Sequence, residues 1–193
     1  MSETLNKTDK PAGVDAVKFI LWLLIISIIM MFAAFTSAYI VRRSEGNWLD
    51  VILPDTMIIN TLILVASSFF MQLAYFSAKK DNIGTLKMSL FITFALGIAF
   101  LAGQWQVWVE LVQNNVYFGG PTANPAGSFL YVLTGVHGFH LITGLIFLIF
   151  VLISAFRFKV HSKNMRQIWM CTTYWHFLGA LWVYLYLFLT VYK

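Results

Sequence analysis

Five long apolar stretches, each ended by charged or polar residues, set the pattern of the chain. The first runs from about Phe19 to Val41 and stops at Arg42 and Arg43. The second runs from about Thr56 to Ala78 and stops at Lys79 and Lys80. The third begins after Lys87 and fades near Glu110, the fourth runs from about Gly127 to Phe156 and stops at Arg157, and the fifth runs from about Ile168 to Tyr192. About 20 mainly apolar residues suffice to cross ~30 Å of hydrocarbon as a helix. The pattern therefore predicts an all-α polytopic membrane protein, a bundle of five transmembrane helices. Short connections predict that neighbouring spans are antiparallel and adjacent. Residues 1–18 are polar and mixed in charge and read as a cytoplasmic tail. Residues 19–193 read as one bundle, without a sequence repeat or an inverted pair of halves. The first run is long and follows a polar lead containing acids, so it reads as an uncleaved anchor.

Composition sharpens this picture. Of 193 residues, 60% are apolar and 11% charged, against roughly 25% charged in soluble domains. That excludes a soluble globular protein, a disordered tail and a nucleic-acid binder. The single cysteine, Cys171, excludes an internal disulfide and a cysteine-built metal site, and without a basic neighbour in sequence it reads as a small core residue. Trp48 and Tyr39 at one interface, and Trp169 and Tyr75 at the other, read as an aromatic belt. Basic residues fix the expected orientation. Lys7, Lys10, Lys18, Lys79, Lys80, Lys87, Arg157, Lys159, Lys163 and Arg166 share one side, and only Arg42, Arg43 and Lys193 lie on the other. This predicts the N-terminus inside and the C-terminus outside.

The middle of every span lacks Asp, Glu, Lys and Arg, and all four prolines (Pro11, Pro54, Pro121, Pro125) fall outside the spans. Ion pumps and proton relays keep such charges within the membrane, and many transporters use broken helices. The chain is therefore not expected to carry protons or ions itself. His137 and His140 in the fourth span and His176 in the fifth are the polar residues that stand out. His137, His140 and Gly144 are spaced i, i+3, i+7 on one helix face, and Gly144 allows a partner helix close beside them. Three readings are open: neutral histidines hydrogen-bonded to hydroxyls or carbonyls between helices, a lipid or subunit contact, or a metal or haem ligand. His140 and His176 differ in depth by roughly 12 Å at 1.5 Å per residue, which weighs against a haem between them. The polar run Gln104-Trp105-Gln106-Val107-Trp108 reads as helix-interface packing or an approach to a headgroup.

Four motifs, in order along the spans, resemble subunit III of haem-copper oxidases. They are Asn60-Thr61-Leu62-Ile63-Leu64 with Ser67-Ser68; Gly103-Gln104 with Trp108; Ser128-Phe129 through Thr134-Gly135-Val136-His137-Gly138-Phe139-His140 and Gly144; and Tyr174-Trp175-His176-Phe177 with Leu181-Trp182. The likeness covers nearly all of the chain from Phe19 onward and is closest to the short, five-span bacterial form. Three positions depart from the family pattern, where Ile28, Val107 and Gly179 stand in place of acids.

The resemblance implies a non-catalytic subunit of a terminal respiratory oxidase that reduces dioxygen to water and moves protons, with cytochrome c as the expected donor and quinol as the alternative. It implies haem and copper in partner subunits and none in this chain. It also implies bound phospholipid and support of proton uptake by subunit I. Subunit I is the expected main contact, with subunit II, a small subunit and a respiratory supercomplex as further partners, in a bacterial inner membrane. His137, His140, Gly144, His176 and Trp182 are the candidate helix-packing residues. Arg157, Lys159, Lys163 and Arg166 are the candidate headgroup contacts, although positive-inside topology explains them equally well. The rival reading is an independent small membrane cytochrome or transporter.

Overall fold

Five α-helices make up most of the described chain: α1 (Ala16–Ser44), α2 (Thr56–Lys79), α3 (Ile83–Gln113), α4 (Pro125–Phe156) and α5 (Arg166–Val191). The structure is a computed structural model and describes residues 15–46, 48, 51–121, 123–157 and 164–192. Among these residues there is no strand, and all five helices are long and apolar enough to cross a membrane. A spanning segment must satisfy its backbone hydrogen bonds internally, which a helix does. The ends are set by local chemistry. Asn82 caps α3 by accepting from the Thr85 amide, and Asn124 caps α4 by accepting from Ala126 with Pro125 in the first turn. Asp81 (φ 55°) and Asn115 (φ 60°) turn the chain in the left-handed region at the start and end of α3.

The helices alternate in direction. Lys18 lies over the Trp169 ring and Lys87 over the Phe156 ring at one face of the bundle. Tyr39 meets Phe129 and Phe188 at the opposite face. Helices α2, α3, α4 and α5 form a closed ring, each packed on the next, with the α2–α3 hairpin most closely apposed. The expected adjacency of all sequential spans fails at one place. Helix α1 packs outside the ring against α4 and α5, and no Cα of α1 comes within 8 Å of α2.

Helix α1 is pinned at both ends. Tyr39 donates to the Tyr192 carbonyl at 2.9 Å and sits among Trp48, Phe129 and Phe188. At the other end Arg166 pairs with Asp15 at 2.8 Å. The most apolar helix is the least buried and the least apolar helix is the most buried. The most apolar 18 residues of α1 have a mean hydropathy of 2.6 and 22% of them are buried; for α5 the values are 1.4 and 50%. In lipid, apolarity does not drive helices together. The less apolar helix, which carries the polar partners, is the more buried.

Candidate functional site

The polar side chains of the spans converge on the seam between α2 and α5. Trp182 donates through Nε1 to Thr61 Oγ1 at 3.0 Å, Trp175 donates to Ser67 Oγ at 2.9 Å, and His176 Nε2 lies 2.8 Å from Gln72 Oε1. Thr61, early in α2, pairs late in α5, and Ser67 and Gln72, further on in α2, pair earlier in α5, as an antiparallel seam requires. Both tryptophans are fully buried, where an unpaired indole N–H in a lipid-surrounded core would be costly. A second seam joins α3 and α4 through Trp108 Nε1 and Thr134 Oγ1 at 3.1 Å. A third joins α4 and α5 through Thr143 and Tyr174, 3.0 Å apart.

The three histidines of the spans have different surroundings, and of them only His176 has a hydrogen-bond partner on another helix among the described residues. His140 turns its Nδ1 back to the Val136 carbonyl of its own helix at 2.8 Å and presents its ring to Phe32 of α1. His137 is completely buried, with its ring 5.0 Å from that of Trp182 and 5.9 Å from that of Phe100. Neither of its nitrogens has a hydrogen-bond partner among the described residues. The i, i+3, i+7 spacing places the residues on one side of α4, but the 60° between His137 and His140 sends them to different neighbours. Gly144 lies with His137, where a Cβ would stand 3.0 Å from Leu178 Cδ1 and 3.6 Å from the Trp175 ring. Among the described residues no three His, Cys, Asp or Glu side chains gather as a metal site.

Of the candidate headgroup contacts, Arg157 is exposed at the end of α4 and Arg166 is engaged by Asp15. Lys159 and Lys163 lie outside the described residues, as do Lys7 and Lys10. The polar run on α3 divides. Gln104 and Val107 are buried, Trp105 and Gln106 are exposed, and Trp108 bridges to α4. Cys171 is buried.

One arrangement was not read from the sequence. Helix α5 carries a pocket against α2 and, further along, another against α1, which together make a cleft along α5. Near the Lys18 end, Gln72 and Tyr75 of α2 and Trp169, Thr172, Thr173 and His176 of α5 line a polar pocket of about 220 Å³. Thr172 Oγ1 is buried there without a partner among the described residues. Further along the same helix, Phe177, Ala180, Leu181 and Tyr184, with Ile29, Phe32 and Ala33 of α1, line an apolar pocket of about 320 Å³. The signal for the polar part was present: Gln72 lies inside a span, four residues after Ser68.

The three positions of departure are also packed shut. Ile28 and Val107 are buried in the core. At Gly179 a Cβ would stand 2.9 Å from Ser68 Oγ, so the Ser68 side chain of α2 occupies the space an aspartate would need.

Fold and site together define a polytopic helical membrane protein whose buried polar residues tie helix to helix. The family is settled by comparison. The family model for cytochrome c oxidase subunit III matches residues 1–193, and the chain belongs to that family. Among its relatives, a probable cytochrome c oxidase subunit 3 of Nocardia farcinica is 32% identical over 100% of this chain and 93% of the relative. The cytochrome c oxidase subunit 3 of Thermostichus vulcanus is 29% identical over 86% of this chain and 83% of the relative. A cytochrome bo(3) ubiquinol oxidase subunit 3 of Buchnera aphidicola is 29% identical over 86% of this chain and 87% of the relative.

Proposed function

We propose that the chain is the lipid-holding support subunit of a cytochrome c oxidase, seated in a bacterial inner membrane with its N-terminus inside. The excess of basic residues on the N-terminal side supports that orientation. Subunit I is its main contact and the seat of dioxygen reduction, with subunit II and a small subunit as further neighbours. Haem and copper reside in those partners. This chain offers a rigid helical frame and a seat for phospholipid beside the proton-uptake side of the complex.

The observation that carries the lipid reading is the cleft along α5. A phospholipid needs a polar seat at the membrane surface and an apolar channel directed inward. The polar pocket and the apolar pocket supply these in that order along one helix face. From Trp169 to Tyr184 the floor runs about 22 Å at 1.5 Å per residue, the length of an extended acyl chain. Lys18, over the Trp169 ring at 5.1 Å, stands at the polar end where a phosphate would lie. Gln72, Thr172 and His176 supply neutral hydrogen-bonding groups for the glycerol and ester region.

The test is the lipid content of the purified complex. Replacing Gln72 and His176 together by leucine removes both hydrogen-bonding partners at once, which leaves neither orphaned and keeps the helices packed. Native mass spectrometry is expected to show loss of retained phospholipid from the double variant. Unchanged lipid content would reject the cleft as the seat. The resemblance to a ubiquinol oxidase subunit 3 supports a second reading, in which the same support role serves a quinol oxidase.

A further inference from the structure

Two glycines on α4 have no reason within this chain to be glycine. A Cβ on Gly138 would meet nothing within 4 Å, and one on Gly135 would meet only the Trp108 ring at 3.7 Å, an ordinary contact. Gly97, Gly103, Gly144 and Gly179 differ, because a Cβ on each would press on a neighbouring side chain of the same chain. Glycine in a helix interior is less stable than alanine, so Gly135 and Gly138 point to something that approaches from outside. At i and i+3 they form one strip of backbone on α4 that carries no side chain.

That strip floors a groove of about 300 Å³ between α3 and α4, with Trp105, Trp108 and Phe139 around it and Gln104 in its lining. Gln104 is 3% exposed, and neither its amide oxygen nor its amide nitrogen has a hydrogen-bond partner among the described residues. It lies nine residues before the end of α3 at Gln113. That is about 14 Å along the axis, which places the amide inside the hydrocarbon of a ~30 Å core spanned by a helix of about 46 Å. An acyl chain has no group to pair with it. A polar side chain on a neighbouring helix does, and small residues are what allow such a helix to lie close.

We propose that this groove seats a transmembrane helix of another subunit of the oxidase. The helix lies close on Gly135 and Gly138 and pairs a hydrogen-bonding side chain with the Gln104 amide. The proposal rests on membership of an oxidase-subunit family and is independent of lipid in the α5 cleft. Phe139, exposed at the rim, can be replaced by the photoreactive analogue p-benzoylphenylalanine in the assembled complex. Irradiation is expected to join it to a transmembrane peptide of a co-purified oxidase subunit, identified by mass spectrometry. Gly138→Leu projects into the groove from a position where a Cβ meets nothing of this chain within 4 Å. It is expected to abolish that crosslink and shed that subunit while the chain still accumulates in the membrane. Crosslinks confined to lipid, or to a second copy of this chain, would overturn the proposal, as would full retention of crosslink and subunit in Gly138→Leu. Loss of lipid in the α5 cleft variant with the crosslink intact separates the two readings.

Discussion

A methyl group on Gly103 would collide with Asn60 Oδ1, while the Asn60 amide approaches the Phe100 carbonyl at 3.5 Å. The α2 and α3 helices cross here with a side-chain amide laid against bare backbone. Gly103→Ala is expected to destabilise by about 1–3 kcal/mol, the usual cost of overpacking a tight core, read as a lower thermal midpoint of the purified complex. Gly84→Ala is the contrast. Its Cβ would stand 3.8 Å from Asn82 Oδ1, an ordinary contact, and the expected change is neutral to a gain of about 0.5–1 kcal/mol. The sequence made Gly144 legible, because helical spacing ties it to His137. Gly103 was legible only as part of a motif, since the side chain that requires it is 43 residues upstream on another helix. The fate of His137 was not legible either: periodicity tells which side of a helix a residue faces, not which neighbour waits there.

At the scale of elements, apolar run length placed all five helices to within a few residues, because the thickness of hydrocarbon is a fixed ruler. Adjacency was a different matter. The connection from Glu45 to Asp55 is eleven residues, which reach up to about 36–40 Å when extended. Neighbouring helices are only 8–10 Å apart, so this link can pass over the bundle, whereas the link of Lys80 to Asn82 forces a hairpin. Helix α1 therefore joins through few buried residues and a pin at either end. In the isolated chain its amides are expected to exchange with deuterium before those of α2 and α3, measured by mass spectrometry. Equal protection of α1 and α3 would contradict this packing order. The α5 cleft joins a pocket against α2 to another against α1, which is why no motif announced it.

For the whole molecule, the charged residues are 11% of the chain and flank the apolar runs in sequence, and buried Ser67 and Thr134 accept hydrogen bonds across helix seams. The isolated chain is expected to show no Soret absorption. Affinity purification under mild detergent is expected to bring down haem-bearing subunits and an activity that oxidises reduced cytochrome c. A Soret band in the isolated chain would return the independent-cytochrome reading, and activity with quinol alone would assign the complex to the quinol branch.

The outlying position of α1 also has a consequence in time. Its contacts are with the last helices of the chain: Tyr39 bonds Tyr192, 153 residues later, and Thr36 meets Tyr184, 148 residues later. At roughly 5–20 residues per second of synthesis, the first span made waits in the bilayer on the order of ten seconds before its neighbours exist. The α2–α3 hairpin closes as soon as it is made. The earliest helix to enter the membrane is thus among the last to find its place, and its high apolarity is what lets it wait there alone.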